Sequence, residues 1–415
     1  MKRILLFTSI VSILFSCGNQ ENNVMNSSMI DIEHALQNLT QLKTSDLGKT
    51  IRYIPLETNN NCLVGANPVV KVLKNYIIIE YGTATSPAGH CLLFDKKDGR
   101  FIAEIGHAGQ DPTAFSKQFS WTDEKEEYIY FERHPNQLIK YDMKGNFCGK
   151  TDFSSHGSAS YYSITDSEII GYFGGIVPSR QYALGFFDKE GILKDTIPLF
   201  LPEISEGIVG INILKGQSAH EIYGNWAREG VIIVDYENDK QATIVPNVAR
   251  IWRHNGNIRF KEDYIDTIYT VSDNKLIPSI VFHTGKNSLP IEGITRKDKP
   301  KESIFIADIS ENNDLIFFQL IKRGQGESVL YNGLFDKKTG ETKLSKYSDG
   351  IEDDLMNFMP FNPMGMSTSG EFTSLVDVNV LMEWLEKHPE KLNNEKLSFI
   401  RELNDDMNPI VILIE

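Results

Sequence analysis

One pattern recurs six times along the chain: an apolar run, a short polar turn containing Asp, Asn or Gly, and a second run. The six occurrences cover residues 92–105, 138–145, 184–191, 231–239, 268–274 and 333–340. Asp, Asn and Gly tolerate the positive φ that tight turns need, while the flanking Val, Ile, Tyr and Phe favour pleated strands. Each occurrence therefore predicts a β-hairpin. The aspartates of the first four units are Asp95, Asp142, Asp188 and Asp235, so consecutive units lie 46 or 47 residues apart.

A further apolar run precedes each hairpin, so every unit has material for about four strands. Repeats of about 40 to 50 residues with four short strands are typical of β-propellers, whose blades stack around a channel because no blade buries both faces alone. We therefore predict an all-β fold, a six-bladed β-propeller over residues 46–415. Seven blades are the alternative, because residues 371–376 could form one more blade with the apolar runs 51–56 and 409–415, the latter predicted as a closing strand.

The stretch 378–404 departs from the alternation of strands. Leu381, Trp384 and Leu385 recur at helical spacing, Pro389 interrupts the pattern, and three more apolar residues follow at the same spacing. This predicts a helical insertion near the carboxyl terminus, with two short helices packed on the propeller. An amphipathic helix that binds a partner is the alternative.

The amino terminus has the features of an export signal. Two cations precede the uncharged, mostly apolar run 4–15, whose twelve residues span about 18 Å as a helix, too short for the ~30 Å core of a bilayer. The run ends in Ser16-Cys17, which looks like a bacterial lipobox. We predict a lipoprotein signal peptide over 1–16, a lipid on Cys17 and a polar tether over 17–45. A secretory signal with an incidental cysteine is the alternative.

Charge and motif content argue against several functional classes. The chain has 42 Lys and Arg against 56 Asp and Glu, a net charge of −14, which disfavours a nucleic-acid partner. The remaining thiols suggest no disulfide framework, and Cys91 and Cys148 lie in strand patterns that predict small buried side chains. Metal-ligand spacings, P-loops and nucleophile elbows are absent from the sequence. We therefore predict no metal, no cofactor and no catalytic residue.

Four stretches resemble the family of six-bladed β-propeller lipoproteins common in Bacteroidales. They are 54–58 (IPLET), 92–112 (LLFDKKDGRFIAEIGHAGQDP), 266–278 (beginning DTIY and ending LIP) and 408–411 (NPIV). These stretches follow the order of the family over nearly the whole mature chain. The family has no established shared reaction, so the resemblance implies an envelope location and a propeller fold rather than a chemistry.

The topology of a propeller gathers loops of all blades on one face. The loop between the second and third strands and the loop to the next blade both emerge there, where ligand sites tend to form. The residues predicted at this rim, several of them cationic or aromatic, are His107, Gln110, Arg133, His134, Trp226, Arg228, Lys261, Lys322 and Arg323. In an acidic protein such a rim would attract an acidic sugar, a carboxylate or an acidic protein surface.

These observations predict an outer-membrane lipoprotein of the bacterial envelope, on its periplasmic or its outer side. The lipid would hold it to the membrane, and one face would bind a glycan or a protein without performing chemistry. The alternative is a carbohydrate-active hydrolase or lyase with its site at the channel mouth, which rests on fold analogy.

Overall fold

The computed structural model describes residues 28–82, 89–116, 119–153, 159–173, 182–200, 207–214, 231–237, 241–244, 251–262, 265–288, 302–323, 328–393 and 397–415. Strands dominate this part of the chain. None of its helices is long and apolar enough to cross a membrane.

Seven sheets are present in the described residues, and six of them are propeller blades, which we number along the chain. The strands β1 (Ser28–Asp31) and β2 (Ile51–Pro55) precede the first blade. Blade 1 contains β3 (Val69–Val72), β4 (Tyr76–Tyr81), β5 (His90–Asp95) and β6 (Phe101–Glu104). Blade 2 contains β7 (Ser120–Thr122), β8 (Tyr128–Arg133), β9 (Gln137–Asp142) and β10 (Phe147–Asp152). Blade 3 contains β11 (Tyr161–Ile164), β12 (Ile169–Tyr172), β13 (Tyr182–Phe187) and β14 (Leu193–Pro198).

A three-stranded sheet, here called the side sheet, follows blade 3. It contains β15 (Ile208–Leu214), β16 (Val231–Tyr236) and β17 (Gln241–Ile244). Blade 4 contains β18 (Ile251–His254), β19 (Asn257–Phe260), β20 (Thr267–Ser272) and β21 (Lys275–His283), and blade 5 contains β22 (Ser303–Glu311), β23 (Leu315–Arg323), β24 (Ser328–Asp336) and β25 (Thr342–Lys346). Blade 6 contains β26 (Gly365–Met366), β27 (Phe372–Val376), β28 (Ile410–Ile414) and, as its outermost strand, β2.

Six apolar cores between neighbouring blades close the ring. They join blades 1 and 2, 2 and 3, 3 and 4, 4 and 5, 5 and 6, and 6 and 1. The core between blades 3 and 4 contains Leu184 and Phe186 on one side and Ile251 and Phe260 on the other. The inner strands β11 and β18 are also in direct contact. The six-bladed propeller is therefore confirmed.

The set of sheets that form the ring differs from the sequence prediction in one respect. All six predicted hairpins form, but the fourth, β16 and β17, belongs to the side sheet, which does not separate blades 3 and 4. The sixth blade is the sheet formed by both chain ends, the strands that the seven-blade alternative assigns to an additional blade. Its strand β28 lies between β2 and β27 and pairs with both.

The recurring aspartates cap the hairpin turns. Asp95 accepts a hydrogen bond from the Lys97 backbone N at 2.8 Å, and Asp336 accepts one from the Lys338 backbone N at 2.7 Å. The turn glycine Gly99 has φ +74°, and a Cβ there would lie 2.1 Å from the Pro55 carbonyl oxygen on the neighbouring blade. Aspartate and glycine recur because the turn needs a side-chain acceptor and a positive φ, and at Gly99, Gly145 and Gly191 also close contact with the neighbouring blade.

The segment predicted as a tether over 17–45 is folded from residue 28 onward, so that boundary was wrong. Strand β1 adds to blade 4 in parallel with β21, and helix α1 (Ile32–Gln37) follows. Helix α2 (Thr44–Leu47) lies against residues 351–355, where Thr44 Oγ1 donates to Asp353 at 3.2 Å. The segment is ordered because its few apolar side chains enter the cores of the ring. We call residues 28–47 the strap, since they run from blade 4 past blade 5 to blade 6.

We expect Ile30→Ala to lower the free energy of unfolding by about 2–5 kcal/mol, because this fully buried side chain lies in the core between blades 4 and 5. Met29 on the same strand is 55% exposed, so Met29→Ala is the matched control and should change stability by about 0.5 kcal/mol or less. Urea unfolding of chains that begin at residue 17 measures both. Equal stabilities of the two variants would mean that the strap is not part of the folded body.

The carboxyl-terminal insertion lies between β27 and β28. It consists of helix α3 (Val378–Lys387), begun by an Asp377 cap, and the 3-10 helices Pro389–Asn393 and Ser398–Glu402. Leu381 and Leu385 are buried in the core between blades 5 and 6, so α3 packs on the ring as predicted. Two further 3-10 turns, Gly285–Asn287 and Tyr347–Asp349, follow blades 4 and 5.

The two strand cysteines differ in burial. Cys91 lies in the core between blades 1 and 2, as its pattern indicates. Cys148 is exposed, and the prediction that it is buried was wrong. It lies on β10, the outermost strand of blade 2, whose side chains are half-buried or exposed.

Candidate functional site

Four of the predicted rim residues meet on the loop between blades 1 and 2. His107 and Gln110 lie on this loop, and Arg133 and His134 follow at the end of β8. The Arg133 guanidinium donates to the carbonyl oxygens of Gln110 at 3.1 Å and Ala114 at 2.9 Å, and also to that of Asp111. Arg133 therefore holds the loop in place.

The two rim histidines each face a carboxylate. His107 Nε2 lies 2.6 Å from Asp111 Oδ2, and His134 Nδ1 lies 3.2 Å from Glu132 Oε1. Hydrogen bonds from Thr113 and from the His107 ring hold the pKa of Asp111 well below its usual range. Of these two carboxylates, that of Asp111 is exposed on the loop, whereas that of Glu132 is buried at the end of β8.

Three of the remaining predicted rim residues, Lys261, Lys322 and Arg323, lie on blades 4 and 5. Lys261 is buried and donates to the Glu262 carbonyl oxygen at 3.2 Å, near blade 3, where Tyr172 donates to the Glu262 carboxylate. Lys322 and Arg323 end β23 in blade 5, and Lys322 lies 3.8 Å from a Glu302 carboxylate oxygen. Trp226 and Arg228 lie outside the described residues.

The inner strands bring together a second polar group, at the wall of the central channel. Lys71 on β3 donates to Glu80 Oε2 and to the Ser120 carbonyl oxygen, each at 2.7 Å. Glu80 is fully buried and also accepts from the Ser120 backbone N at 2.8 Å. These bonds join the inner strands of blades 1 and 2.

Arg253 extends into the channel from the side opposite Lys71. It lies on β18 of blade 4, and its guanidinium donates to the Thr122 carbonyl oxygen on β7 of blade 2 at 2.8 Å. Blade 3 separates these two blades, so the side chain crosses part of the channel. Tyr161 lies between them on β11, with its ring 6.3 Å from Trp121 in an edge contact. We call Lys71, Glu80, Tyr161 and Arg253 the channel cluster.

Burial and the charges of the channel cluster set the pKa of Tyr161. Burial raises the pKa of Tyr161, the positive charges of Lys71 and Arg253 oppose this rise, and Glu80 adds to it. The phenol is therefore protonated at neutral pH and serves as a hydrogen-bond donor. Within the described residues its hydroxyl has no hydrogen-bond partner.

The sequence contained a signal for this cluster. Lys71 and Arg253 are single cations in short apolar strands, VVKV and IWRH, where a charge requires a partner or faces water. Only the closure of the ring places the two strands at one channel, whereas the topology of a propeller by itself points to the loop ends.

A buried ionic network joins blades 4 and 5 on the face of the propeller opposite the predicted rim. Glu311, at the end of β22, accepts from Lys337 Nζ at 2.8 Å, from Arg259 at 3.2 Å and from Trp252 Nε1 at 2.9 Å. Burial alone would raise the pKa of Glu311, but the Lys337 hydrogen bond and the charges of Arg259 and Lys337 bring it below its ordinary value. His254 lies 3.6 Å away, and burial lowers its pKa.

An open surface groove of about 690 Å³ lies between the start of blade 1 and the helical insertion. Its charged lining residues are Glu57, Asp98, Arg100, Glu402 and Asp406. The excess of carboxylates makes it unsuited to an anionic ligand. Across the described part of the chain, no group of three or more His, Cys, Asp or Glu side chains is arranged to hold a metal.

Comparison with known proteins identifies the family. The sequence pattern described as "Domain of unknown function (DUF4934)" matches residues 27–415. The chain belongs to this family. Its matched region begins one residue before β1, so the strap lies within the family domain.

A solved structure shows the same fold. A crystal structure of a protein assigned as exported, from Bacteroides fragilis NCTC 9343, is similar with a TM-score of 0.60 at 14% identity, covering 93% of this chain and 98% of that one. A member of the DUF4221 family from Bacteroides vulgatus ATCC 8482 has a TM-score of 0.46 at 12% identity, with 88% and 96% of the two chains covered. No curated protein matches the chain.

Proposed function

We propose that this protein is a lipid-anchored binding module of the bacterial envelope that holds a ligand in the propeller channel and catalyses no reaction. The export signal, Cys17 and the exported Bacteroides fragilis neighbour support the location. The channel cluster supports the binding role, because rigid inner strands hold hydrogen-bond donors in the channel.

The observation that carries this proposal is the position of Arg253. Its guanidinium has five N–H donors, and the bond to Thr122 occupies one of them. Among the described residues no carboxylate pairs with it. An arginine held on a strand and left without an anion is suited to bind one.

The same cluster offers little for catalysis. Glu80 is bonded to Lys71 and to the Ser120 backbone, so it is not available as a general base. Tyr161 stays protonated at neutral pH because burial raises its pKa. The hydrolase or lyase alternative would require a base that this cluster does not supply.

Binding and turnover can be measured on one panel of neutral and acidic oligosaccharides and peptides. Calorimetry should find at least one ligand, and chromatography of the same mixtures should find it unchanged after overnight incubation. Product formation at ordinary enzyme rates would overturn the non-catalytic assignment. A panel with neither binding nor turnover would count against the binding role.

Lipid attachment can be tested directly in cells. We expect Cys17→Ala to abolish incorporation of a labelled fatty acid and to move the protein from the detergent phase to the aqueous phase on Triton X-114 partition, since the cysteine thiol is the acceptor of the lipid. Cys148→Ala is the control, because that thiol is exposed and lies in the folded body. Retained label in Cys17→Ala would exclude lipidation at this residue.

A further inference from the structure

We infer that the channel cluster binds a single carboxylate, that of an acidic sugar such as a uronate, between Arg253, Tyr161 and the Lys71 ammonium. This inference deepens the proposed binding function and rests on it. It is carried by the charge balance, the open donors and the polarity of the surrounding wall.

The charged residues of the channel cluster leave one positive charge without a negative partner. Lys71 and Glu80 form an ion pair at 2.7 Å and cancel each other. Arg253 has no such partner in the part of the chain that the structure describes. The cluster therefore carries a net charge of about +1, which a carboxylate neutralises, whereas a phosphate monoester would bring about −1.5 to −2 at neutral pH.

The open donors match the shape of a carboxylate. The planar guanidinium can offer a pair of parallel N–H bonds to both oxygens of one carboxylate. The Tyr161 hydroxyl has no hydrogen-bond partner among the described residues, and Lys71 uses two of its three N–H groups on Glu80 and Ser120. The three side chains lie along one short strand, because Lys71 and Arg253 donate to the carbonyl oxygens of Ser120 and Thr122 and Tyr161 contacts Trp121 between them.

The wall around these donors favours a sugar over a peptide. The half-buried Thr122 on the inner strand of blade 2 supplies a hydroxyl, and the half-buried Tyr161 supplies a hydroxyl and an aromatic ring. Such groups suit the hydroxyls and the C–H face of a sugar ring. The net charge of −14 over the whole chain repels polyanions, so a single acidic residue at the end of a neutral glycan suits the site better than a fully acidic polymer.

The test is calorimetry with galacturonate, its neutral counterpart galactose, inorganic phosphate, and acetyl-glycylglycine as a peptide carboxylate. We expect the mature chain to prefer galacturonate over galactose by at least about tenfold. Arg253→Gln should weaken galacturonate binding by about 10- to 100-fold, and Tyr161→Phe by several-fold. Arg100→Gln is the matched control and should bind as the parent does, because Arg100 is exposed and lies in the acidic groove.

Each outcome decides a different point. Equal binding of galactose and galacturonate would overturn the carboxylate inference and leave the binding function intact. Binding of phosphate or of acetyl-glycylglycine in place of the sugar acid would also overturn it, as would unchanged affinity in Arg253→Gln. If Arg253→Gln has a much lower melting temperature than the parent, Arg253→Lys replaces it in the test. Lysine retains the positive charge and should lose only the paired hydrogen bonds to the ligand carboxylate. Absence of binding by all four probes overturns the inference, and the wider panel then decides the proposed function.

Discussion

A chain that ends at Pro409 is expected not to fold. The deletion removes β28, which pairs with β2 on one side and β27 on the other, so the amino-terminal strand loses its partner. All five β28 side chains are buried, three of them in the core between blades 5 and 6 and two in the core between blades 6 and 1. Burying five aliphatic side chains contributes about 8–15 kcal/mol, comparable to the whole stability of a typical domain.

Circular dichroism and thermal melting of the purified chain measure this effect. Within the closing strand, Leu413→Ala should cost about 2–5 kcal/mol, because the side chain is fully buried between blades 6 and 1. The control is Val380→Ala on α3, an apolar side chain that is 55% exposed, where we expect a change within about 0.5 kcal/mol. Cooperative melting of the truncated chain within a few degrees of the parent would contradict the closing role of β28.

Glu311→Gln is expected to destabilise the protein by about 3–5 kcal/mol at neutral pH. The amide keeps the shape of the side chain but leaves Arg259 and Lys337 without the carboxylate that they share in the interior. Glu302→Gln is the control, since Glu302 is half-exposed and lies 3.8 Å from Lys322, and such surface pairs contribute about 0–1 kcal/mol. Urea unfolding of the parent, Glu311→Gln and Glu302→Gln measures the three free energies of unfolding.

The pH dependence of the same variant has a defined sign. The pKa of Glu311 is lower in the folded protein than its ordinary value of 4.5, so its contribution to stability is present above that value and is lost as the pH falls through the folded pKa. The difference in free energy of unfolding between the parent and Glu311→Gln should therefore become smaller below about pH 4.5. A difference that stays constant down to pH 3 would show that the carboxylate charge is not what stabilises the network.

The turns and blades were predictable because their causes are local. Asp95 and Gly99 lie within one turn, and the turn needs both a side-chain acceptor and a positive φ whatever the rest of the chain does. The same holds for α3, whose Asp377 cap and apolar face lie within nine residues. The rim loop was located for the same reason, because Arg133 and His107 lie at strand ends that a propeller places on one face.

Other features depend on distant partners. The strap was taken for a tether because residues 18–28 are polar, and the burial of Ile30 becomes visible only once blades 4 and 5 stand beside it. The channel cluster was missed because Lys71 and Arg253 are 182 residues apart and meet only through the curvature of the ring. The side sheet was counted as a blade because its hairpin has the same local pattern as the others.

The hairpins, their spacing and the propeller class follow from local patterns in the chain, since alternation and turn chemistry act over a few residues. Which sheets form the ring, where the amino-terminal segment packs and which charges face the channel become defined only in the folded molecule. A blade enters a ring only if both of its faces match its neighbours. The side chains that make those matches come from stretches tens of residues apart at most junctions, and from opposite ends of the chain where blades 6 and 1 meet.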